Sequence, residues 1–251
     1  MRVKREMDIM GLLRRKGFAG IGDLSSLLSV SRNTVRRDLK SLQQQGAVRI
    51  THGGAVLSDN TPMGIPLGER EVQLREEKQR IGLFARQMVR DGDAVLLDAG
   101  TTTEQIAVQL KDYKGLTIIT NAVNVLLALI DAPDVSVVST GGVVNTVTHC
   151  FYGSHAEQFL AQFHVDVAFV SAGGLTTGGV TNTNIVEVQI KRTMLQIAAR
   201  TVLVVTHDKI GKTSLAPFAQ LHEIDVILTD DKADPAVLEE LRGYGPEIIV
   251  C

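Results

Sequence analysis

The chain has 251 residues, 44% of them hydrophobic and 22% charged, with a formal net charge of −2, which suits one large or two ordinary globular domains. No run of 18 apolar residues occurs, so no membrane span is expected, and the start Met1-Arg2-Val3-Lys4-Arg5-Glu6 has no apolar signal core, so a cytoplasmic location is expected. The two cysteines, Cys150 and Cys251, lack Cys or His neighbours at zinc-finger spacing; a zinc finger and a disulfide scaffold are both set aside, and no metal or cofactor is expected.

Charge is divided unevenly along the chain. Residues 1–57 carry eleven Lys and Arg against four Asp and Glu, a net +7, while the remainder carries fifteen against twenty-four, a net −9. This predicts a nucleic-acid-facing head on an acidic body. In the head, Val3, Met7, Met10 and Leu13 fall on one helical face that Gly17 ends, and Leu24, Leu27 and Leu28 form a second short stripe. Ser29 and Val30 then make a link short enough for a helix-turn-helix. Ser31 stands where an N-cap belongs, and Val35, Leu39 and Leu42 recur at i, i+4, i+7 as an apolar stripe. Opposite that stripe lie Asn33, Arg36, Arg37, Lys40 and Gln44. Arg pairs with guanine edges, Asn with adenine and Lys with phosphate, so this face has the chemistry of major-groove reading. A solvated charged face is the plain alternative, and the flanking segments decide against it. Gly46 breaks the helix, Val48 and Ile50 alternate with Arg49, and His52-Gly53-Gly54 turns back into Ala55-Val56-Leu57, a strand-turn-strand wing.

The stretch Val30-Ser31-Arg32-Asn33-Thr34-Val35-Arg36-Arg37-Asp38-Leu39, followed by Arg49-Ile50-Thr51-His52-Gly53-Gly54-Ala55, resembles the DNA-binding signature of the DeoR family of bacterial transcriptional regulators. The resemblance implies DNA contacts from Ser31, Thr34, Arg36 and Arg37 and a wing containing Arg49, His52 and Gly53. With the basic arc, the candidate DNA-binding set is Ser31, Arg32, Asn33, Thr34, Arg36, Arg37, Lys40, Arg49, His52 and Gly53. Asp38, beside two arginines, is expected to orient one of them.

Residues 58–68 hold two prolines and two glycines and read as a linker between a winged helix-turn-helix domain (1–57) and a second domain (69–251) for effector binding and oligomerisation. A charged helical pattern opens that domain from Glu69 to about Val89, with Ile81, Phe84, Ala85 and Met88 as its apolar face. Beyond residue 93, short β-branched runs at 94–97, 116–120, 135–139, 167–171, 202–206, 226–229 and 248–250 alternate with helical stretches at 104–110, 123–130 and 185–199. The pattern predicts a mostly parallel α/β sheet, whose ligands gather at the carboxyl ends of the strands. The loops there are polar: Asp98-Ala99-Gly100-Thr101-Thr102-Thr103, able to seat a phosphate at a helix start; Thr120-Asn121; Thr140-Gly141-Gly142; and Ala172-Gly173-Gly174-Leu175. Glu187 and Lys191, four apart on one helix, are placed to pair with each other, and Lys209 follows a strand end where it can neutralise an anion.

This body also resembles the DeoR effector domain, similar in fold to sugar-phosphate isomerases such as ribose-5-phosphate isomerase. The resemblance implies a phosphorylated-sugar effector facing Gly100, Thr101, Thr102, Thr103, Asn121, Gly141, Gly142 and Lys209; Asp98 and Glu187 complete the candidate set. One departure stands out. The family pattern Asp-x-Ser-Lys-x-Gly is here Thr206-His207-Asp208-Lys209-Ile210-Gly211, with Thr206 at the acidic position. The expected function is a sequence-specific repressor of sugar-metabolism genes, not an enzyme. It binds double-stranded operator DNA as a homodimer or homotetramer, without a membrane partner, and is relieved by a sugar phosphate. The alternatives are a sugar-phosphate isomerase or deaminase with a DNA-binding appendage, and a non-specific DNA-packaging protein, which the acidic body disfavours.

Overall fold

The computed structural model describes residues 2–16, 18–44, 48–57 and 67–251; the expected helix ends at Gly17 and Gly46 and linker residues 58–66 lie outside them, as do the side chains of Val3, Gln44 and Leu57. The chain divides into two compact units, Met1–Gln73 and Leu74–Cys251, whereas the sequence placed the start of the second domain at residue 69.

The first unit runs α1 (Arg2–Lys16), β1 (Phe18–Gly20), α2 (Ile21–Leu27), α3 (Arg32–Gln44), β2 (Val48–Thr51), β3 (Gly54–Leu57) and α4 (Leu67–Val72). Its core gathers Ile9, Leu12 and Leu13 from α1, Leu24 from α2, Val35, Leu39 and Leu42 from α3, and Val48 and Ala55 from the wing. The α3 stripe is the one the sequence predicts. The α1 and α2 stripes hold in part: Leu13 and Leu24 are buried and Met10 and Leu28 pack against the core, but Met7 is 68% and Leu27 59% exposed. α1 packs on α3 and on β1 and β3 together, so the adjacent positions Ile9, Leu12 and Leu13 turn inward and Met7 lies outside the arc. The wing has three strands in the order β1-β3-β2. β1 pairs antiparallel with β3 through Phe18–Val56 and Gly20–Gly54; three residues are too few for an alternating pattern to show in the sequence.

The second unit runs α5 (Arg75–Ala85), β4 (Ala94–Leu97), α6 (Thr101–Gln109), β5 (Leu116–Thr120), α7 (Val123–Leu129), β6 (Val135–Ser139), β7 (Val143–Asn145), β8 (Cys150–Tyr152), α8 (Ser154–Leu160), β9 (Val167–Ser171), β10 (Gly174–Thr176), β11 (Gly179–Asn182), α9 (Val188–Ile197), β12 (Thr201–Val204), β13 (Ala216–Ala219), β14 (Val226–Thr229), α10 (Pro235–Arg242) and β15 (Glu247–Val250). The expected helix over 69–89 is two helices, α4 and α5, interrupted at Gln73–Leu74, where Leu74 takes a left-handed φ of 50°. Seven strands form one sheet in the order β15-β14-β12-β9-β4-β5-β6. Every neighbouring pair in it is parallel. Helices cover both faces: Ile81, Ile106 and Leu129 from α5, α6 and α7 pack on one, and Leu160, Met194 and Leu241 from α8, α9 and α10 on the other. β10, β11 and β13 make a small second sheet, and β7–β8 a hairpin. No described helix is long and apolar enough to cross a membrane.

α5 lies hard against α6. A Cβ at Gly82 would sit 2.8 Å from the Gln105 carbonyl carbon and oxygen, so only hydrogen fits. Gly82→Ala is expected to wedge the two helices apart and destabilise the unit by about 1–3 kcal/mol. A urea melt reads this as a lower midpoint at unchanged slope; an unchanged midpoint contradicts the close contact.

Candidate functional site

In the first unit, α3 presents the basic face. The Ser31 Oγ accepts the Thr34 N–H at 3.2 Å and lies 2.9 Å from Thr34 Oγ1, the N-cap that the sequence predicts. Arg32, Asn33, Arg36, Arg37 and Lys40 are exposed, Thr34 is half-buried, and Arg49, His52 and Gly53 are exposed on β2 and the β2–β3 turn. Gly53 has φ 94°, a left-handed conformation that favours glycine at this turn. Arg36 Nη1 donates to Asn33 Oδ1 at 3.2 Å, which links two of the candidate base-reading side chains. Asp38 engages an arginine of α1. It is buried and accepts Arg5 Nε at 2.8 Å and Arg5 Nη2 at 3.2 Å, tying α3 to α1. Its helix position, between Val35 and Leu42, sets it on the inward side.

In the second unit, the strand order reverses between β4 and β9: the chain proceeds to β5 and β6 on one side and to β12, β14 and β15 on the other. Such a switch point opens a crevice outside the carboxyl ends of the strands. The first residue beyond β4 is Asp98, buried to 1% exposure. Its Oδ2 accepts the Ser171 N–H at 2.9 Å, the Ser171 hydroxyl at 2.7 Å and the ammonium of Lys191. Lys191 donates further to the Ser171 carbonyl at 2.8 Å and lies 5.3 Å from the centre of the Phe218 ring. Lys191 thus pairs with Asp98 and not with Glu187 as the sequence spacing suggests. It projects from α9 on the side of Ile190 and Met194, into the core, where only a buried carboxylate balances its charge.

Glu187 has its own partners. Its Oε1 accepts from Thr148 Oγ1 at 2.8 Å, Asn184 Nδ2 at 3.2 Å and Cys150 Sγ at 3.3 Å, and its Oε2 from Asn182 Nδ2 at 3.0 Å. Burial, with the Glu187 carboxylate close by, pushes the Cys150 thiol well above its ordinary range, so the reactive thiolate is scarce at neutral pH. Iodoacetamide at pH 8 is expected to spare Cys150 in the folded protein and modify it after unfolding, read by mass spectrometry; rapid labelling of the folded chain contradicts this.

α6 begins at the strand ends. Gly100 is its N-cap, and Thr101, Thr102 and Thr103 fill its first turn, all buried. The Thr103 hydroxyl turns back to donate to the Gly100 carbonyl at 3.0 Å, which leaves the hydroxyls of Thr101 and Thr102 for a ligand at this helix start. Asn124 donates to the same carbonyl at 3.1 Å and to Glu104 Oε2 at 2.8 Å. Asn121 is buried and donates to the Phe151 carbonyl at 3.3 Å. Three amide atoms here are buried without a hydrogen-bond partner: Asn121 Oδ1, Asn124 Oδ1 and Asn145 Nδ2. The β7–β8 hairpin carries Asn145 to this edge, because Asn145 pairs with Cys150 and Cys150 bridges to Ala122. Gly141 (φ 60°) and Gly142 (φ 108°) follow β6 in left-handed conformations, with open space at Gly141. The glycine pair 173–174 serves packing instead: a Cβ at Gly174 would meet the Lys212 carbonyl oxygen at 2.3 Å.

At residue 206 the departure from the family pattern exchanges two groups. Thr206 is buried, and its hydroxyl donates to Asp208 Oδ1 at 2.5 Å. A hydroxyl and a carboxylate are both retained, with the carboxylate two positions later and half-exposed. Lys209 ends this 3-10 turn, half-buried in the segment that follows β12. A separate cleft of about 550 Å³ lies between α9 and β13, lined by residues such as Arg192, Gln196, Phe218 and Glu223, and none of the ten effector candidates lines it. No cluster of metal-ligating side chains occurs among the described residues.

Sequence reasoning did not find Ser171, Asn124, Asn145, Thr148, Asn182 or Asn184. Asn124 lies in the first turn of α7; the others are short polar residues at strand ends or in turns that read as ordinary turn chemistry until the sheet brings them to this edge.

A helix-turn-helix with an exposed basic helix and a wing, carried in one chain with a parallel α/β unit, marks a DNA-binding transcriptional regulator. Residues 5–61 match the DeoR-like helix-turn-helix domain and residues 73–231 the DeoR C terminal sensor domain. The chain belongs to the DeoR family. It is 36% identical to the transcriptional repressor AccR of Agrobacterium fabrum over 90% of this chain and 88% of that one. It is 33% identical to the repressor GlcR of Bacillus subtilis over 98% and 95%, and 27% identical to the glycerol-3-phosphate regulon repressor of Escherichia coli over 99% and 98%. A solved ribose-5-phosphate isomerase in complex with phospho-erythronic acid superposes with a TM-score of 0.42 at 15% identity over 55% of each chain, a likeness too distant to speak to function.

Proposed function

We propose that this protein represses sugar-metabolism genes by gripping operator DNA through α3 and the β2–β3 turn, and lets go when a phosphorylated sugar binds at the strand ends of the second unit. The observation that carries the effector half is the set of buried, unpartnered amide atoms of Asn121, Asn124 and Asn145 beside the start of α6. An unsatisfied buried polar atom costs roughly 1–3 kcal/mol, and sugar hydroxyls supply both the donors and the acceptor these atoms lack. The first-turn N–H groups of α6 favour a phosphate. In this reading Gly100, Thr101 and Thr102 seat the phosphate, Asn121 and the Gly141–Gly142 turn face the sugar, and Lys209 balances charge. Asp98 and Glu187, saturated by protein donors, form the wall. The repressor names of the relatives support the same direction, as does the glycerol-3-phosphate regulon that one of them controls.

DNA contacts from lysine and arginine make operator affinity fall steeply with salt. One recognition helix covers few base pairs, so the functional form is a homodimer or homotetramer on a two-fold site; sedimentation of the protein with operator DNA measures this. Catalysis by the same site would need a free base, and both candidate carboxylates are engaged. No turnover of ribose 5-phosphate or glucosamine 6-phosphate is expected, and turnover above background contradicts the non-enzymatic reading. Calorimetric titration with a panel of sugar phosphates tests the effector site directly. Thr102→Glu sets a carboxylate where the phosphate would sit and is expected to weaken binding at least about tenfold; equal binding by this variant overturns the seat.

A further inference from the structure

One short loop touches both the strand-end edge and the helix with which the second unit begins. Asp230 follows β14 and is fully buried at 0% exposure. Its Oδ2 accepts the His207 N–H at 2.8 Å, and its Oδ1 lies 2.7 Å from His207 Nδ1 and accepts the Lys232 N–H at 3.1 Å. His207 stands between Thr206 and the candidate effector lysine, Lys209, so Asp230 holds the 3-10 turn that carries Lys209. The next two residues engage α5. Arg80 Nη2 donates to Asp231 Oδ1 at 2.5 Å, and Lys232 Nζ donates to Glu77 Oε1 at 2.5 Å. Glu77 is buried, and the hydrogen bond from Lys232 holds its carboxyl below the usual range.

α5 starts at Arg75, directly after the division between the units, and the intervening Leu74 has a left-handed φ of 50°. A bulky residue in that conformation is a strained joint. Ion pairs with exposed partners, such as Arg80–Asp231, contribute little to stability. What this two-rung clamp fixes is the setting of α5 relative to the loop behind Lys209.

We propose that the Asp230–Lys232 loop couples occupancy of the strand-end site to α5, and through α5 to the affinity of the chain for DNA. The inference rests on the effector reading given above. A bound anion that draws Lys209 inward moves His207 and Asp230 with it, and Asp231 and Lys232 then pull or release their partners on α5. Coupling of this kind requires the anion to bind the two settings of α5 with different affinity.

The test uses the full-length protein with ribose 5-phosphate, glucose 6-phosphate, fructose 1-phosphate and glycerol 3-phosphate as probes. Sugar-phosphate Kd is measured by calorimetry, and operator Kd by anisotropy with and without each probe. Glu77→Gln and Lys232→Met are expected to leave both separate affinities within about twofold of wild type. They should cut the factor by which the active probe weakens DNA binding, about 5–150-fold for an allosteric pair, by at least fivefold. The charge exchange Glu77→Lys with Lys232→Glu should restore that factor, which a merely structural role would not do. Arg80→Met, on the second rung, should act in the same direction. If Glu77→Gln, Lys232→Met and Arg80→Met all keep the wild-type factor while binding the probe, the coupling loop is wrong and the effector site stands. If the factor falls only in step with lost probe affinity, the loop is part of the site and the proposal is overturned. If no probe binds or acts on the wild-type protein, both readings fall.

Discussion

Lys191→Met is expected to cost the second unit about 3–5 kcal/mol, because it leaves the Asp98 carboxylate buried without its cation. For a unit of this size that corresponds to a drop of roughly 6–20 °C in Tm. Asp98 is 1% and Lys191 1% exposed, so neither charge is rescued by water. The Ser171 N–H and hydroxyl stay on Asp98 in the variant and soften the loss without removing it. Asp98→Ala should cost a similar amount by stranding the ammonium. The double replacement Asp98→Asn with Lys191→Met should recover much of the loss, since no charge then remains to be buried. Thermal melts followed by circular dichroism distinguish the cases: equal destabilisation by single and double variants contradicts an ion pair at the base of the strand-end site.

Arg36→Ala with Arg37→Ala is expected to weaken operator binding by about 2–6 kcal/mol, thirtyfold or more, taking roughly 1–3 kcal/mol for each base-reading arginine. Both side chains are exposed on α3, so the fold should survive, and an unchanged melt of the first unit checks this. The slope of log affinity against log salt separates their roles. An arginine on a phosphate lowers the slope by about 0.9 and weakens all sequences alike, whereas one on a base edge relaxes discrimination at its own position. Operator binding untouched by the double replacement contradicts α3 as the reading element.

The recognition helix was legible because its signals are local. The cap hydroxyl of Ser31, the stripe of Val35, Leu39 and Leu42 and the basic arc all sit within one helix. The parallel strands were legible for a similar reason, as short β-branched runs buried on both faces. What the sequence hid depends on partners distant along the chain. Met7 and Leu27 are apolar at helical spacing yet exposed, because where α1 and α2 meet the wing decides which arc is buried. β1 exists only through its pairing with β3. Lys191 carried a usable signal, a cation in line with Ile190 and Met194 on a buried helix face, but nothing near it names Asp98, 93 positions earlier. Asp38 likewise finds Arg5 on another helix. The break at Leu74 has no proline or glycine to announce it. At the strand ends the glycines and threonines were visible, while Glu187 gave no sign of Thr148 and Cys150, which lie 39 and 37 positions earlier and reach it only in the assembled fold.

Whether a sugar phosphate at the strand ends loosens the hold on DNA is measured directly by the anisotropy of a labelled operator duplex bound to the protein. Phosphorylated sugars and the same sugars without phosphate are titrated in parallel. At least one phosphorylated sugar is expected to raise the operator Kd about tenfold or more while its unphosphorylated counterpart leaves it unchanged. An operator Kd indifferent to every sugar phosphate, or equally sensitive to the neutral sugars, contradicts release by a sugar phosphate.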